Sequence, residues 1–179
     1  MDQSPRTGVL RRALDRLYDA SAAMAALCLV AMLGVIVVQM IARWSSFTFP
    51  GATDYAGYLM AAASFLAFAG ALNSGAHIRV GLFLNALGER RYWGELWCLL
   101  VGTAATLFLS WYAIRLVYWS WKLNDVSQGQ DATPLWIVQI PVAFGAGLLA
   151  VAFVDNLITL ILTGRDNIRD NVAVQSHAE

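Results

Sequence analysis

Residues 20–42 read ASAAMAALCLVAMLGVIVVQMIA, and only Ser21, Gly34 and Gln39 fall outside the apolar set. At about 1.5 Å of rise per residue, a helix of this run covers roughly 34 Å, enough to cross a hydrocarbon core of about 30 Å. Arg11 and Arg12 lie upstream, as basic residues do in a secretory signal, but a signal core is only about 7–15 residues long. The run exceeds that length and is expected to be a retained anchor.

Composition agrees with lipid as the solvent. Hydrophobic residues make up 59% of the 179-residue chain and charged residues 13%, against about 45–50% and roughly 25% in soluble domains. Twelve basic and twelve acidic side chains balance, so bulk charge gives no sign of a nucleic-acid partner. Cys28 and Cys98 each sit inside an apolar run, where a thiol packs as a small hydrophobe. No C-x-x-C or Cys/His spacing points to redox or metal chemistry.

Three further runs follow. Tyr55 to Leu72 carries no charge and is preceded by Thr53 and Asp54, either of which can cap a helix start. The third run extends from about Trp93 to Trp119–Trp121, with Tyr92, Trp93 and Trp97 at one end and Trp111, Tyr112, Tyr118, Trp119 and Trp121 at the other. Aromatics concentrated at both ends fit a belt at headgroup level. The fourth opens at Thr133-Pro134, a cap and a proline at the first helical position, and Pro141 should kink it. The expected architecture is all-α, with four membrane spans at about 20–42, 55–72, 93–119 and 134–162. A segment 1–19 precedes this membrane domain of 20–163, and a tail 164–179 follows it. Between the second and third spans, Val80, Phe83, Leu84 and Leu87 recur at helical spacing in residues 78–87, a stretch too short to cross. It reads either as an amphipathic helix lying in the interface or as a partly buried connecting turn.

The basic residues orient the spans. Arg6, Arg11, Arg12 and Arg16 precede the first span, Arg79, Arg90 and Arg91 separate the second from the third, and Arg165 and Arg169 follow the fourth. Arg43 and Lys122 alone lie at the opposite ends. Basic residues are retained on the cytoplasmic side, so both termini are expected inside.

Ionisable groups within spans are functional candidates. Asp155 and Glu95 fall near the inner surface, and Glu95 is one helical turn from Arg91. Arg115 and Asp54 fall near the outer surface, and none of the four reaches the midplane. Each reads as an interfacial anchor or local salt bridge, as a contact with a partner subunit, or as a group that coordinates substrate. Ser64, Thr103 and Thr106 lie near mid-depth and are expected to bond back to their own helices. Carriers bind substrate at mid-membrane on broken helices in paired halves. Here Pro141 breaks one helix and no matching break appears. Bis-histidine haem ligation needs histidines within spans, and the two histidines are His77, at a helix end, and His177, in the tail. No catalytic constellation is visible, so no enzymatic activity and no cofactor are expected. What remains is a surface for another protein, with small residues spaced for close helix approach at Gly57–Ala61, Gly70–Ser74 and Ala143–Gly147.

Several stretches are specific enough to compare with a known family. Arg43 ends the first span, an aromatic loop follows, and Asp54 opens the second. Gly75-Ala76-His77-Ile78-Arg79-Val80 follows the second span. The fourth opens with Pro134-Leu135-Trp136-Ile137 and continues through Gln139, Pro141 and Gly145. In this order, over residues 10 to 163, the chain resembles the small membrane subunit of tripartite ATP-independent periplasmic (TRAP) transporters, the DctQ-like family. Asp54 stands where glutamate is the commoner residue. The resemblance implies a multi-pass protein of a bacterial inner membrane. It also implies a large membrane subunit (DctM-like) that carries the substrate and sodium sites, and a periplasmic substrate-binding protein (DctP-like) that delivers an organic acid. The small subunit would be a fixed scaffold, with Arg43, Asp54, His77, Arg79, Glu95, Arg115, Trp136, Gln139, Pro141 and Asp155 as candidate partner contacts or interface anchors. Two other readings compete: a small stand-alone exporter acting as a dimer, which would want an acid deep in a span, and an assembly factor for another membrane complex.

Overall fold

The computed structural model describes residues 9–45, 47, 50–73, 91–130 and 132–163. Four helices account for most of them: α1 (Val9–Trp44), α2 (Ala52–Asn73), α3 (Arg91–Leu123) and α4 (Leu135–Thr163). All four are long and apolar enough to cross a membrane, and no strand occurs among the described residues. The chain is an all-α protein with four candidate spans. The expected segment at 78–87, with His77 and Arg79, lies outside the described residues, as does the tail from 164.

The helices pack in the order α1–α2–α4–α3, with extensive contact in each adjacent pair and none of that extent between α1 and α3. Close approach fixes this order. A methyl group on Gly145 of α4 would lie 2.5 Å from the Phe65 carbonyl carbon and 2.9 Å from the Leu66 amide nitrogen, both in the backbone of α2. Only glycine permits that approach. On the other side of α2, Gly70 meets the Ala22 methyl of α1. Gly102 of α3 lies under the Phe153 ring of α4, and Ser110 of α3 faces Gly147 of α4. Small residues at interfaces are how helices associate where lipid supplies no hydrophobic driving force between them. Of the spacings singled out above, Gly57 faces open space, whereas Gly70 and Gly147 are at helix contacts.

α1 begins eleven residues before its uncharged run, because residues 10–19 are amphipathic rather than apolar. Tyr18 is buried with Ala69 and Leu72 of α2 and with Leu148 and Ala152 of α4, and Leu14 packs against this cluster. Most of α1 remains outside the core. Only 6% of its apolar stretch is buried within the chain, against 28% for α2 and for α4. Met24, Leu27, Val30, Leu33 and Val38 are all exposed, a surface suited to lipid or to another apolar protein.

Two local expectations need correction. The second helix is not capped by Thr53 or Asp54. Gly51 holds the preceding position at φ 78°, its carbonyl accepts from the Asp54 and Tyr55 amides, and the helix starts at Ala52. Asp54 therefore sits in the first turn, where a carboxylate complements the helix dipole. Among the mid-depth hydroxyls, Ser64 donates to the Met60 carbonyl and Thr106 to the Gly102 carbonyl. The buried Thr103 hydroxyl has no hydrogen-bond partner.

Gly145→Ala is expected to destabilise the chain by about 1–3 kcal/mol through overpacking, lowering its thermal unfolding midpoint in detergent. Gly57→Ala, with nothing near its new methyl, should leave the midpoint unchanged or slightly raised. Equal midpoints for the two variants would mean that the α2–α4 contact does not hold the fold together.

Candidate functional site

The described polar residues gather most densely at one end, where α1 stops, α2 starts and the connector from α3 to α4 returns. The connector is built by local chemistry. Asn124 takes a left-handed conformation (φ 52°) that ends α3, and the Asp125 amide bonds back to the Ser120 carbonyl. The strap then doubles on itself: the Ser127 amide donates to the Thr133 carbonyl and the Leu135 amide to the Asp125 carbonyl. Pro134 closes the strap opposite Val126, immediately before α4.

Three contacts tie this strap to the first turns of α2. Tyr58 shares a hydrogen bond with the Ser127 hydroxyl, and Tyr55 shares one with Thr133 at 3.3 Å. The Gly51 amide donates to Gln130 Oε1 at 3.3 Å. The two tyrosine rings meet edge to face, with centroids 6.3 Å apart. Gly129 lies directly under the Asp54 carboxylate, and a methyl there would fall 2.0 Å from Asp54 Oδ2. The end of α1, the start of α2 and the strap enclose a cavity of about 430 Å³ lined by Gln39, Gly51, Ala52, Thr53, Asp54, Gln128, Gly129 and Gln130. Its lining combines three amides, a hydroxyl and one carboxylate, a set that recognises hydrogen-bonding groups and favours positive charge.

The residues expected to matter do not form one site. Asp54 is half-buried in the cavity wall, whereas Arg43 is exposed at the end of α1. No ion pair joins these two. Trp136, Gln139 and Pro141 occupy the first turns of α4, half-buried, and the helix continues through Pro141. Gln139 Oε1 is buried without a hydrogen-bond partner. Glu95, buried, and Asp155, half-buried, lie towards the opposite end of the α3–α4 pair. Arg115 is exposed on α3. None of Glu95, Arg115 and Asp155 lines the cavity.

Sequence reasoning passed over Gln128, Gly129 and Gln130, and it saw Gln39 only as an interruption of an apolar run. The available signal was the run Asn124-Asp125-Val126-Ser127-Gln128-Gly129-Gln130, whose turn-forming residues surround a glycine flanked by amides. Which helix it would fold against depends on the packing order, which no local pattern contains. Among the described residues no three His, Cys, Asp or Glu side chains gather as metal ligands.

Among known proteins, the family model described as "Tripartite ATP-independent periplasmic transporters, DctQ component" matches residues 32–163. No curated protein and no solved structure gave a match.

A methyl at Gly129 would meet only the end of the Asp54 side chain, so Gly129→Ala should turn that carboxylate aside and loosen the seat of the strap on α2. In a background lacking Cys28 and Cys98, Gln130→Cys is then expected to react faster with a water-soluble maleimide when Gly129 is alanine. Tyr58→Phe, which removes a net contribution of about 0.5–1.5 kcal/mol, should accelerate labelling less. Unchanged labelling rates would show that the strap is not pinned by these contacts.

Proposed function

The chain belongs to the DctQ component family of the tripartite ATP-independent periplasmic transporters, and from that premise we propose that it is a fixed, non-catalytic scaffold for the large membrane subunit. The family match over residues 32–163 carries the reading. The large subunit would hold the substrate and sodium sites and perform sodium-coupled uptake of an organic acid or similar small solute, delivered by a periplasmic binding protein. This chain itself would need no cofactor.

The distribution of charge supports the static role. The charged residues of the described helices lie within a few turns of helix ends, at Arg11, Arg12, Asp15, Arg16 and Asp19, Arg43, Asp54, Arg91, Glu95, Arg115 and Lys122, and Asp155. The central turns hold apolar residues and hydroxyls. A carrier would place polar groups at mid-membrane, and a brace does not need them. The exposed apolar length of α1 gives the large subunit a surface to cover. We place both termini in the cytoplasm of a bacterium, with the protein in its inner membrane, on the distribution of arginines described above. The strap and the Asp54 cavity then face the periplasm, where they would meet the binding protein.

Reconstituted alone, the chain is expected to show no saturable sodium-driven uptake. It should co-purify from native membranes with a large polytopic chain, whereas recovery as a lone dimer would favour the exporter reading. In the full assembly, Asp54→Ala is expected to reduce uptake at limiting binding protein by several-fold with less effect at saturation. Uptake that does not change at any concentration of binding protein would remove Asp54 from docking.

A further inference from the structure

On the outward side of α3, Trp111, Arg115, Tyr118 and Lys122 follow one another at spacings of four, three and four residues, and so share one face. All four are exposed, and the opposite face of the helix, with Thr103, Thr106, Ser110 and Ser120, is buried. Arg115 lies eight residues inside the end of a candidate span that runs to Leu123, about 12 Å along the helix. A guanidinium there, near the outer surface and facing away from its own chain, is placed to meet an anion at headgroup level.

Among the described residues none is supplied. No acidic residue occurs on α3 beyond Glu95, and no described residue forms an ion pair with Arg115 or Lys122. Lys122 is folded back along the helix: its ammonium lies 5.9 Å from the Tyr118 ring centroid and 5.1 Å from that of Trp119. Cation–π contacts of this kind orient the ammonium without cancelling its charge. They fold the ammonium back along the helix towards the Tyr118 turn of the exposed face that also carries Arg115. Trp111 lies one turn deeper on the same stripe, where its ring can meet an acyl chain.

We propose that this stripe is a binding site for an anionic phospholipid, with the phosphodiester held between Arg115 and Lys122 and the first acyl carbons against Trp111. Two uncompensated cations favour a headgroup with net negative charge, such as phosphatidylglycerol, over phosphatidylcholine, in which the choline cancels the phosphate. The site is independent of the docking cavity, whose lining shares no residue with it.

The test is native mass spectrometry of the full chain released from micelles with equal amounts of phosphatidylglycerol and phosphatidylcholine. The wild type should retain phosphatidylglycerol preferentially. Arg115→Gln combined with Lys122→Gln should lower that retention by roughly 10- to 30-fold, from about one phosphate-directed cation contribution per residue. Arg115→Lys, which keeps the charge, should preserve most of it, and Arg16→Gln, at the other end of the molecule, should leave it unchanged. Gel filtration of each variant separates lost binding from misfolding. The proposal is overturned if the wild type shows no preference between the two lipids, or if the double variant retains the wild-type preference. It also falls if Arg115→Gln leaves lipid retention intact but abolishes co-purification with a large polytopic chain, because the face would then belong to a protein carboxylate.

Discussion

The backbone-to-backbone approach of α4 to α2 at Gly145 determines where everything else in this chain can go. Packed helices are ordinarily held about 8–10 Å apart by their side chains. Here the Phe65 carbonyl and Leu66 amide occupy the space a side chain at residue 145 would need. Because α2 and α4 take each other's inner faces, α1 and α3 are left with outer positions, each against a single main neighbour. The result is a row of helices and not a closed bundle, and a row exposes far more apolar surface. In water such surface would drive aggregation; in lipid it is neutral and available to a partner.

The polar end follows from the same contact. Since α2 and α4 lie side by side with their starts at one end, the segment that leads into α4 has to pass over the first turns of α2. The hydrogen bonds from Ser127 and Thr133 to Tyr58 and Tyr55, and the seat of Asp54 on Gly129, are consequences of that route. Asp54 thereby acquires neighbours that its position in the sequence does not suggest. It lies only a short loop from Arg43 in the sequence, yet its surroundings come from residues 128–130, more than seventy positions away.

Much of the fold was legible because the membrane imposes it residue by residue. A run without charge either crosses or does not, and the ends of α2, α3 and α4 fall within a few residues of the expected spans. The start of α1 was missed for a physical reason: a search for uncharged length stops at Asp19, whereas Tyr18 and Leu14 continue the helix through an amphipathic stripe that packs on α2 and α4. Packing order was not legible. Gly57–Ala61 and Ala143–Gly147 look equivalent as spacings, but Gly57 faces open space and the decisive contact is at Gly145, between the two small residues that had drawn attention. Thr103 was expected to satisfy itself and does not, because a hydroxyl's choice of acceptor is made by rotamer and neighbours rather than by sequence. Asn156 belongs with it: its amide nitrogen donates to the Ala152 carbonyl while its oxygen remains buried without a partner.

The charges show how this arrangement suits a stationary element. A charged side chain at the bilayer centre costs about 2.5–3.5 kcal/mol on insertion scales, a cost that carriers accept because moving cargo requires it. Here Arg115, the described cation farthest from a helix end on α3, lies on the outward face of a flanking helix rather than between the helices. Its charge can be met from outside without opening the chain's own contacts. By contrast, the interfaces within the row rely on glycine, alanine, hydroxyls and a phenylalanine ring, whose energies depend on contact distance and not on protonation or ion occupancy. Contacts of that kind would not respond to ion or solute binding in the neighbouring subunit that the proposed role supplies. A row held together in this way would keep its shape beside a moving partner, which is what the proposed scaffold role asks of it.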